Sequence, residues 1–458
     1  MNSFLSSQDT IVALSTAQGV GAIAVIRLSG EAAFSITDQI FRGKTLVDQP
    51  SHTAHFGKIL DGELIVDEVV ATIFKAPTSF TKENVVEISC HGSNYIINKT
   101  IKLLLKNGAR YARAGEFTQR AFMNGRFDLA QAEAVADLIA SDSEAAHSAA
   151  INQMRGGFSK EIKALRTQLI HFASMIELEL DFAEEDVEFA DRNQLKQLIT
   201  NILTVLRPLI DSFDLGNAIK NGIPTVIAGK PNAGKSTLLN VLFNEEKALV
   251  SDIAGTTRDT IEDEINIEGI KFRFIDTAGL RETSDRLEAM GIEKTKQKMQ
   301  ESSLILYLFD ANTTSNDEIK AINEELAASG KAYLLIANKV DIASPKGSFE
   351  QFEPYNLIFI SAIEKTGIEI LKKKILATVK AETFKTGNTV VTNIRHYESL
   401  INTKVALEKS LEGLDLGTTG DLLAEDIRES LYHLGLITGE ITTEDLLENI
   451  FTKFCIGK

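Results

Sequence analysis

The sequence predicts a multidomain protein of the α+β and α/β classes, in which an α/β domain is inserted into a helical domain that follows an N-terminal α+β domain. Three observations lead to this expectation. A chain of 458 residues is longer than one core of ordinary size. The spacing of apolar residues changes from strand-like to helical and back along the chain. A glycine-rich phosphate-binding motif lies in the second strand-rich region.

The first domain, residues 1–120, alternates strand-like stretches with short amphipathic helices. Its clearest strands are GAIAVIRLSG (21–30) and ELIVDEVVATIF (63–74), and the pair Asp61-Gly62 before the second strand is typical of a tight hairpin. In residues 121–220 apolar positions recur at helical spacing, as in DLAQAEAVADLIA and LITNILTVLRPLI. This second segment is therefore expected to form long packed helices.

The pattern breaks at Gly222-Ile223-Pro224, where buried-type strands begin to alternate with helices. This alternation predicts a doubly wound α/β domain over residues 221–380. Helical spacing returns in residues 381–458, so the two helical segments are expected to form one discontinuous domain. The acidic run at 178–191 allows two interpretations, a solvated helix end or an interaction face.

Composition excludes several classes of protein. The hydrophobic fraction of 44% and the charged fraction of 24% are typical of a globular chain. No apolar run of membrane-spanning length and no secretory signal pattern is seen, so a cytoplasmic location without membrane contact is expected. A net charge of −16 argues against non-specific nucleic-acid binding, and any RNA contact should use a local basic patch or a partner. Two cysteines, Cys90 and Cys455, are too few for a disulfide framework or a four-cysteine zinc site.

A phosphate-binding loop is predicted at GKPNAGKS (229–236), between the strand TVIAG and the helix STLLNVLF. In such a loop, glycines let backbone N–H groups face the phosphates. Lys235 is expected to neutralise the β- and γ-phosphate oxygens, and Ser236 to offer its hydroxyl to Mg²⁺.

Further motifs follow in the order that a GTP-binding domain requires. Asp276 in FIDTAG is placed to hold Mg²⁺ through water, and the Gly279 amide can bond the γ-phosphate. Asp341 in NKVD (338–341) can accept two hydrogen bonds from guanine, which adenine cannot donate, so the nucleotide is expected to be GTP. The pair Ser361-Ala362 should complete the purine pocket, and Thr257 is a candidate second hydroxyl on Mg²⁺ in a mobile switch.

The residue that orients the attacking water is not obvious from the motifs alone. Small GTPases use a glutamine just after DTAG, but Leu280 stands there and has no polar group. Polar candidates in the following stretch are Arg281, Glu282, Asp285, Glu288 and Glu293. Asn232 is placed either to coordinate a monovalent cation beside the phosphates or only to stabilise the loop with its amide.

The chain resembles the bacterial tRNA-modification GTPase family MnmE, also called TrmE, over essentially its whole length. The similar stretches are GKPNAGKST, DIAGTTRD, DTAGLRET, the segment RAGEFTQRAFMNGRFDLAQAEAVADLI (113–139) and the terminal CIGK. The resemblance implies a folate-binding and dimerising N-terminal domain, a discontinuous helical domain and an inserted Ras-like P-loop G domain. It also implies a homodimer that works with an FAD-containing MnmG-type partner, as a heterotetramer, on carbon 5 of the wobble uridine of certain tRNAs.

Site residues are implied by the same resemblance. The water-orienting glutamate falls on Glu288, Mg²⁺ would use Ser236 and Thr257, and K⁺ would use Asn232, Ser251, Ile253 and Thr256. The implied GTP-binding residues are Asn232, Ala233, Gly234, Lys235, Ser236, Thr237, Ser251, Asp252, Ile253, Ala254, Gly255, Thr256, Thr257, Asp276, Thr277, Ala278, Gly279, Asn338, Lys339, Asp341, Ser361 and Ala362.

A 5-formyl- or methylene-tetrahydrofolate site is implied at Arg27, Glu87, Arg126 and Lys458. A carboxylate suits the paired donors of a pterin, and the cations suit the glutamate tail; for Arg27 and Glu87, an ordinary salt bridge at a strand edge is the alternative. Cys455 is expected to be a catalytic group that the helical domain carries to the folate pocket, rather than an incidental residue at a frayed end.

A second class of function stays open, a regulatory or ribosome-assembly GTPase that acts as a binding switch without tRNA chemistry. Such proteins usually carry an RNA-binding domain after the G domain, for example one with a GXXG loop. Residues 381–458 are predicted to be helical instead. The sequence therefore favours the tRNA-modifying enzyme.

Overall fold

A computed structural model describes residues 9–181, 191–247, 263–275, 297–342, 355–379 and 389–457. Contacts divide the chain into two compact units. Unit 1 comprises Met1–Ala140, Ile151–Leu206 and Glu398–Lys458, and unit 2 comprises Ser141–Ala150 and Arg207–Tyr397. The predicted domain boundaries at residues 120, 220 and 380 stay a prediction, since this division joins the N-terminal segment to most of the helical segments.

Unit 1 opens with a seven-stranded sheet in the order β3-β4-β5-β6-β2-β1-β7. Its strands are β1 (Ile11–Leu14), β2 (Gly21–Ser29), β3 (Phe41–Arg42), β4 (Thr53–Asp61), β5 (Leu64–Phe74), β6 (Val85–Gly92) and β7 (Arg110–Tyr111). All paired neighbours are antiparallel except β1 and β7. Gly62 has a φ of +62° in the turn between β4 and β5, which matches the hairpin predicted there.

One face of this sheet carries a core shared with α1 (Ala33–Ile40) and α2 (Asn94–Lys106). Alternate residues of β2, β5 and β6 point into that core because side chains alternate across a strand. Among them is Cys90, a residue that is 3% exposed. Burial raises the pKa of this thiol to about 11, so Cys90 is a packed strand residue rather than a reactive group.

The helices that follow the sheet are α3 (Glu116–Met123), α4 (Leu129–Ala140), α5 (Glu144–Met154), α6 (Gly157–Asp181), α7 (Arg192–Asp211) and α8 (Phe213–Asn221). Residues 141–150 cluster with unit 2, and two polar contacts join them to the strand hairpin of residues 263–274. Lys271 Nζ lies 2.7 Å from the Asp142 carboxylate, and the Ala145 N–H donates to the Gly269 carbonyl. The predicted long helices are thus present.

Unit 2 contains a six-stranded sheet in the order β13-β12-β11-β8-β10-β9. Its elements are β8 (Ile223–Ala228), α9 (Lys235–Lys247), β9 (Asp263–Ile267), β10 (Ile270–Phe274), β11 (Leu304–Asp310), α10 (Asn316–Ala328), β12 (Ala332–Asn338), β13 (Leu357–Phe359) and α11 (Ile368–Thr378). All neighbouring strands are parallel except the hairpin β9–β10. The carboxyl ends of β8, β11, β12 and β13 therefore share one edge, where doubly wound sheets bind ligands.

The chain closes with α12 (Ile394–Leu416), α13 (Gly420–Thr438) and α14 (Glu444–Phe451). Helix α13 packs along α6 within unit 1, and α14 joins Leu129 and Ala132 of α4 in a small core. The segments before and after unit 2 in the sequence thus pack together. Over the described ranges, no helix combines the length and the apolar character that crossing a bilayer requires.

Candidate functional site

The predicted phosphate-binding loop connects β8 to α9 in unit 2. Both glycines of this loop, Gly229 and Gly234, are required by close packing and by their backbone conformation. Gly229 has a φ of +144° and Gly234 a φ of +98°, and a Cβ on either would collide with Leu308 or Asn338 respectively. The loop is thus a tight backbone cradle that ends at the N-terminus of a helix, which suits a phosphate group.

Lys235 lies inside this cradle. Its Nζ donates to the carbonyl oxygens of Gly229 and Lys230, each at 2.9 Å. Burial of the ammonium group lowers the pKa of Lys235, because the charged form is partly removed from water. The Lys235 ammonium group can exchange these two carbonyls for phosphate oxygens, because charged oxygens are stronger hydrogen-bond acceptors for a cation than neutral carbonyls.

Asn338, at the end of β12, ties the loop to the segment after β13. Its Nδ2 donates to the Ala233 carbonyl at 2.8 Å, and its Oδ1 accepts from the Ala362 N–H at 3.0 Å. Asn338 as a whole is 2% exposed. One buried amide therefore sets the spacing between the phosphate-binding loop and the predicted purine-binding segment, and Ser361 and Ala362 are buried behind it.

Two residues that the sequence analysis missed hold the next turn. Asp310, at the end of β11, accepts from Lys339 Nζ at 2.8 Å, and Asn312 Nδ2 donates to both the Asp310 carboxylate and the Lys339 carbonyl at 3.1 Å. Burial alone would raise the pKa of Asp310, but the hydrogen bonds from Lys339 and Asn312 lower it overall. Lys339 has a φ of +67°, so this turn is conformationally strained and needs such support.

A cavity of about 370 Å³ lies over these loops. Its lining consists of Asn232, Gly234, Lys235, Ser236, Thr237, Asn338, Lys339, Asp341 and Ile363. Eight of these nine residues were predicted to bind GTP. Ile363 was missed, although it follows Ser361-Ala362 directly and exposes 71% of its surface, which makes it available to cover a flat ring.

Several predicted residues lie outside the described part of the chain. For the nucleotide site these are Ser251, Asp252, Ile253, Ala254, Gly255, Thr256, Thr257, Asp276, Thr277, Ala278, Gly279 and Glu288, and for the folate site Lys458. Two of the proposed metal ligands are described, and both Ser236 and Asn232 line the cavity. The roles of all the predicted site residues stay predictions.

A second cluster lies in unit 1, on the sheet face opposite α1 and α2. Arg27 of β2 and Glu87 of β6 are direct cross-strand partners. The Arg27 Nε and Nη2 atoms each lie 2.8 Å from Glu87 Oε1. Both side chains keep part of their surface exposed, so they can bind a ligand without first breaking a closed core.

Arg126 joins this cluster through Phe80. The guanidinium carbon of Arg126 lies 5.4 Å from the centre of the Phe80 ring, and that of Arg27 lies 5.5 Å from it. Arg126 also donates to the Ser79 carbonyl, and burial lowers its pKa. The structure therefore brings together three of the four predicted folate residues around a ring that the sequence analysis did not single out.

An ionic network in the same unit was also missed by the sequence analysis. Arg120 Nη2 binds Asp9 Oδ1 at 2.7 Å and Glu116 Oε1 at 3.2 Å, and Arg120 Nη1 lies 3.2 Å from Glu83 Oε2. Arg110 Nη2 adds a 2.5 Å contact to Glu116. The network fastens α3 to the start of β1 and to the loop between β5 and β6.

The C-terminal tail packs on unit 1. The Gly115 N–H donates to the Cys455 carbonyl at 3.4 Å, Ile456 forms a β-bridge with Ala114, and Ser15 Oγ donates to the Gly457 carbonyl at 3.2 Å. Phe454 is buried, whereas Cys455 is exposed. The tail is therefore anchored on both sides of its thiol.

The loop, its lysine and the Asn-Lys-Val-Asp segment at one edge of a doubly wound sheet define a P-loop nucleotide-binding protein of the GTPase class. Comparison with known proteins extends this assignment. Residues 129–455 match the family model of the MnmE helical domain, and residues 10–126 match that of the GTP-binding protein TrmE N-terminus.

The tRNA modification GTPase MnmE of Cytophaga hutchinsonii is 61% identical, with 98% of both chains covered. The protein of the same name from Flavobacterium johnsoniae is 53% identical over 99% of this chain and 100% of its own. This chain therefore belongs to the MnmE family of tRNA modification GTPases, and its predicted α+β, helical and G-domain fold classes are confirmed.

Among solved structures, the FeoB G domain from Methanococcus jannaschii is 26% identical and covers 34% of this chain and 97% of its own. Its TM-score is 0.25, too low to add to the family assignment.

Proposed function

We propose that this GTPase modifies carbon 5 of the wobble uridine of certain tRNAs, adding an aminomethyl or carboxymethylaminomethyl group with a tetrahydrofolate one-carbon donor. An FAD-containing partner of the MnmG type would take part in the reaction. The observation that carries this proposal is the presence of two chemically different sites in one family member. A phosphate cradle and the Asp341 carboxylate, a candidate acceptor for the purine, line one cavity in unit 2. A partly exposed arginine–carboxylate pair, Arg27–Glu87, lies in unit 1.

In the nucleotide site, each described residue has a role that follows from its chemistry. Backbone amides of the loop would bind phosphate oxygens, and Lys235 would move from its two carbonyl partners to the β- and γ-phosphates. Asp341, exposed at the cavity, would accept the guanine N–H groups. Ile363 would cover the face of the base.

Mg²⁺ and K⁺ would supply positive charge to the phosphates during hydrolysis. The chain offers Ser236 and Asn232 for them at the cavity, and both side chains carry the oxygen atoms that these hard cations prefer. Asn232 has a φ of +60°, a conformation that asparagine tolerates better than most residues. The remaining proposed ligands and Glu288 lie outside the described residues.

In unit 1, Glu87 would accept paired hydrogen bonds from a pterin, while Arg27 and Arg126 would bind its carbonyl or carboxylate groups. The tail supports a link between this site and Cys455. The Gly115 amide holds the Cys455 carbonyl, and Phe117, two residues further on, contacts the Arg27 guanidinium at 5.7 Å. We expect the Cys455 thiol to act at the carbon that the folate delivers.

A homodimer is supported by the apolar part of the sheet face that bears Arg27. Ile23 and Phe56 are 67% and 66% exposed, and Val70 of the neighbouring strand is also exposed. Burial of such side chains against a second copy would remove apolar area from water, at roughly 25 cal/mol per Å². A cytoplasmic location accords with substrates such as tRNA and GTP.

Nucleoside analysis of a strain without this protein tests the proposal. Mass spectrometry of its bulk tRNA should show unmodified carbon 5 at the wobble uridine, and plasmid-borne wild-type protein should restore the modification. Unchanged tRNA in the deletion strain, together with a ribosome-assembly defect, would instead support the regulatory GTPase.

A further inference from the structure

Aromatic rings and guanidinium groups alternate beside the Arg27–Glu87 pair. Phe80 contacts both guanidinium groups, with centroid distances of 5.5 Å to Arg27 and 5.4 Å to Arg126. On the outer sides, Phe117 lies 5.7 Å from Arg27 and Phe127 lies 5.3 Å from Arg126. Because the face of an aromatic ring is negative, each of these contacts attracts the cation.

Hydrogen bonds from side chains to backbone carbonyls hold the segment that carries Phe80, without any ligand. Residues 79–82 are bonded to residues 124–126 at three points. Arg126 Nη1 donates to the Ser79 carbonyl, Asn124 Nδ2 donates to the Thr81 carbonyl at 2.7 Å, and Lys82 Nζ donates to the Gly125 carbonyl at 2.9 Å. The two segments form a clamp, and the Phe80 ring also meets Phe127 edge-on with 6.0 Å between centroids.

Two guanidinium groups that contact the same ring repel each other unless other groups compensate their charges. Glu87 neutralises Arg27 at 2.8 Å. Arg126 instead binds the neutral Ser79 carbonyl and the two rings, in a setting where burial lowers its pKa. Loss of the Phe80 ring should therefore displace the Arg126 guanidinium more than the Arg27 guanidinium, which Glu87 still binds.

We propose that Phe80 is a positioning residue, whose ring holds the Arg27 and Arg126 guanidinium groups in register for a ligand that carries anionic or carbonyl oxygens on or beside a planar ring. This proposal rests on the proposed folate function, since folates are the ligands of that chemistry which the site would take. Phe80 acts through the two arginines and does not itself take part in the reaction.

Calorimetric binding of 5-formyl-tetrahydrofolate to three full-length variants tests the proposal. Each cation–π contact contributes about 0.5–1 kcal/mol, so Phe80→Leu should weaken binding about tenfold, while Phe80→Tyr, which keeps the π face, should stay within about threefold of wild type. Phe122→Leu is the matched control, because the Phe122 ring packs against the Phe451 ring, tilted and with 6.4 Å between centroids, rather than on Arg27 or Arg126. Equal affinities of Phe80→Leu and wild type, or equal losses in Phe80→Leu and Phe80→Tyr, would overturn the positioning role.

A second measurement needs no folate. Phenylglyoxal modifies exposed arginines, and peptide mass spectrometry gives the rate at each site. Phe80→Leu should increase the rate at Arg126 severalfold and the rate at Arg27 less, because Glu87 still holds Arg27. Unchanged rates at Arg126 would contradict the proposal. If wild-type protein fails to bind folate while these rates change as expected, the folate function is wrong and the positioning role of Phe80 stands.

The composition of the chain provides a third test. The sequence contains no tryptophan, so Phe80→Trp places a single indole at the site. Its ring keeps the cation–π contacts. 5-Formyl-tetrahydrofolate should quench its emission with the half-saturation that calorimetry gives. Calorimetric saturation without any change in emission would place the ligand away from Phe80 and overturn the proposal.

Discussion

Asn338→Ala should loosen the nucleotide site before any nucleotide is bound. The substitution removes the donor to the Ala233 carbonyl and the acceptor for the Ala362 N–H, and both partner residues are only 2% exposed. A buried polar group left without a partner costs about 1–3 kcal/mol. Two such groups should therefore lower the free energy of unfolding of unit 2 by about 2–6 kcal/mol. The loss is smaller if a water molecule enters the space and bonds to the two groups.

Urea unfolding followed by tyrosine fluorescence measures this loss. Because the chain has two compact units, the relevant transition is the one that added GDP moves to higher urea. Asp341→Asn is the matched control, since Asp341 belongs to the same turn but its side chain is exposed. That variant should unfold within about 0.5 kcal/mol of wild type and lose preference for guanine nucleotides. A shift below about 0.5 kcal/mol for Asn338→Ala would refute the bridging argument.

Three other predictions concern the remaining sites. Cys455→Ser should abolish tRNA modification while leaving GTP hydrolysis unchanged, as measured by nucleoside analysis and phosphate release; loss of hydrolysis as well would make the tail purely structural. GTP hydrolysis should be faster in K⁺ than in Na⁺ of equal concentration, and Asn232→Ala should remove the difference; equal wild-type rates in both salts would contradict a K⁺ site. Burial raises the pKa of Glu116, but hydrogen bonds from Arg110 and the Arg113 backbone lower it overall, below its ordinary 4.5. The stabilisation from this group is present above about pH 4.5 and disappears as protons bind at lower pH, so acid unfolding of Glu116→Gln should depend less steeply on pH.

The phosphate-binding loop could be predicted from sequence because its chemistry is local. Gly229, Gly234 and Lys235 lie within seven consecutive residues, and the strand before them and the helix after them are set by the same short stretch. The strands that end at Asn338 and Ser361 could be predicted for a related reason. Parallel strands bring their carboxyl ends to one edge, so motifs far apart in sequence converge without any knowledge of side-chain packing.

Residues that act through tertiary contacts could not be predicted in this way. Arg120 and Asp9 are 111 residues apart, and no spacing rule relates them. Phe80 lies in the loop between β5 and β6. A loop has no periodic pattern of apolar residues, so the sequence does not indicate what the Phe80 ring contacts. Asp310, in contrast, could have been predicted from the sequence, because a carboxylate at the carboxyl end of a parallel strand lies at the ligand-binding edge of the sheet.

The anchored tail explains how a thiol near a chain end can have a defined position. Gly457 has a φ of +96° and lies so close to the Leu14 carbonyl that a Cβ there would collide with it. The last residues are thus fixed against the first strand of the same unit, although unit 2 is inserted between them in the sequence. Since this closure uses contacts within unit 1 only, the position of Cys455 relative to Gly115 does not require the nucleotide cavity. A substitution at Lys235 that prevents GTP binding should accordingly leave the tail contacts intact, which is why the two activities are expected to separate by mutation.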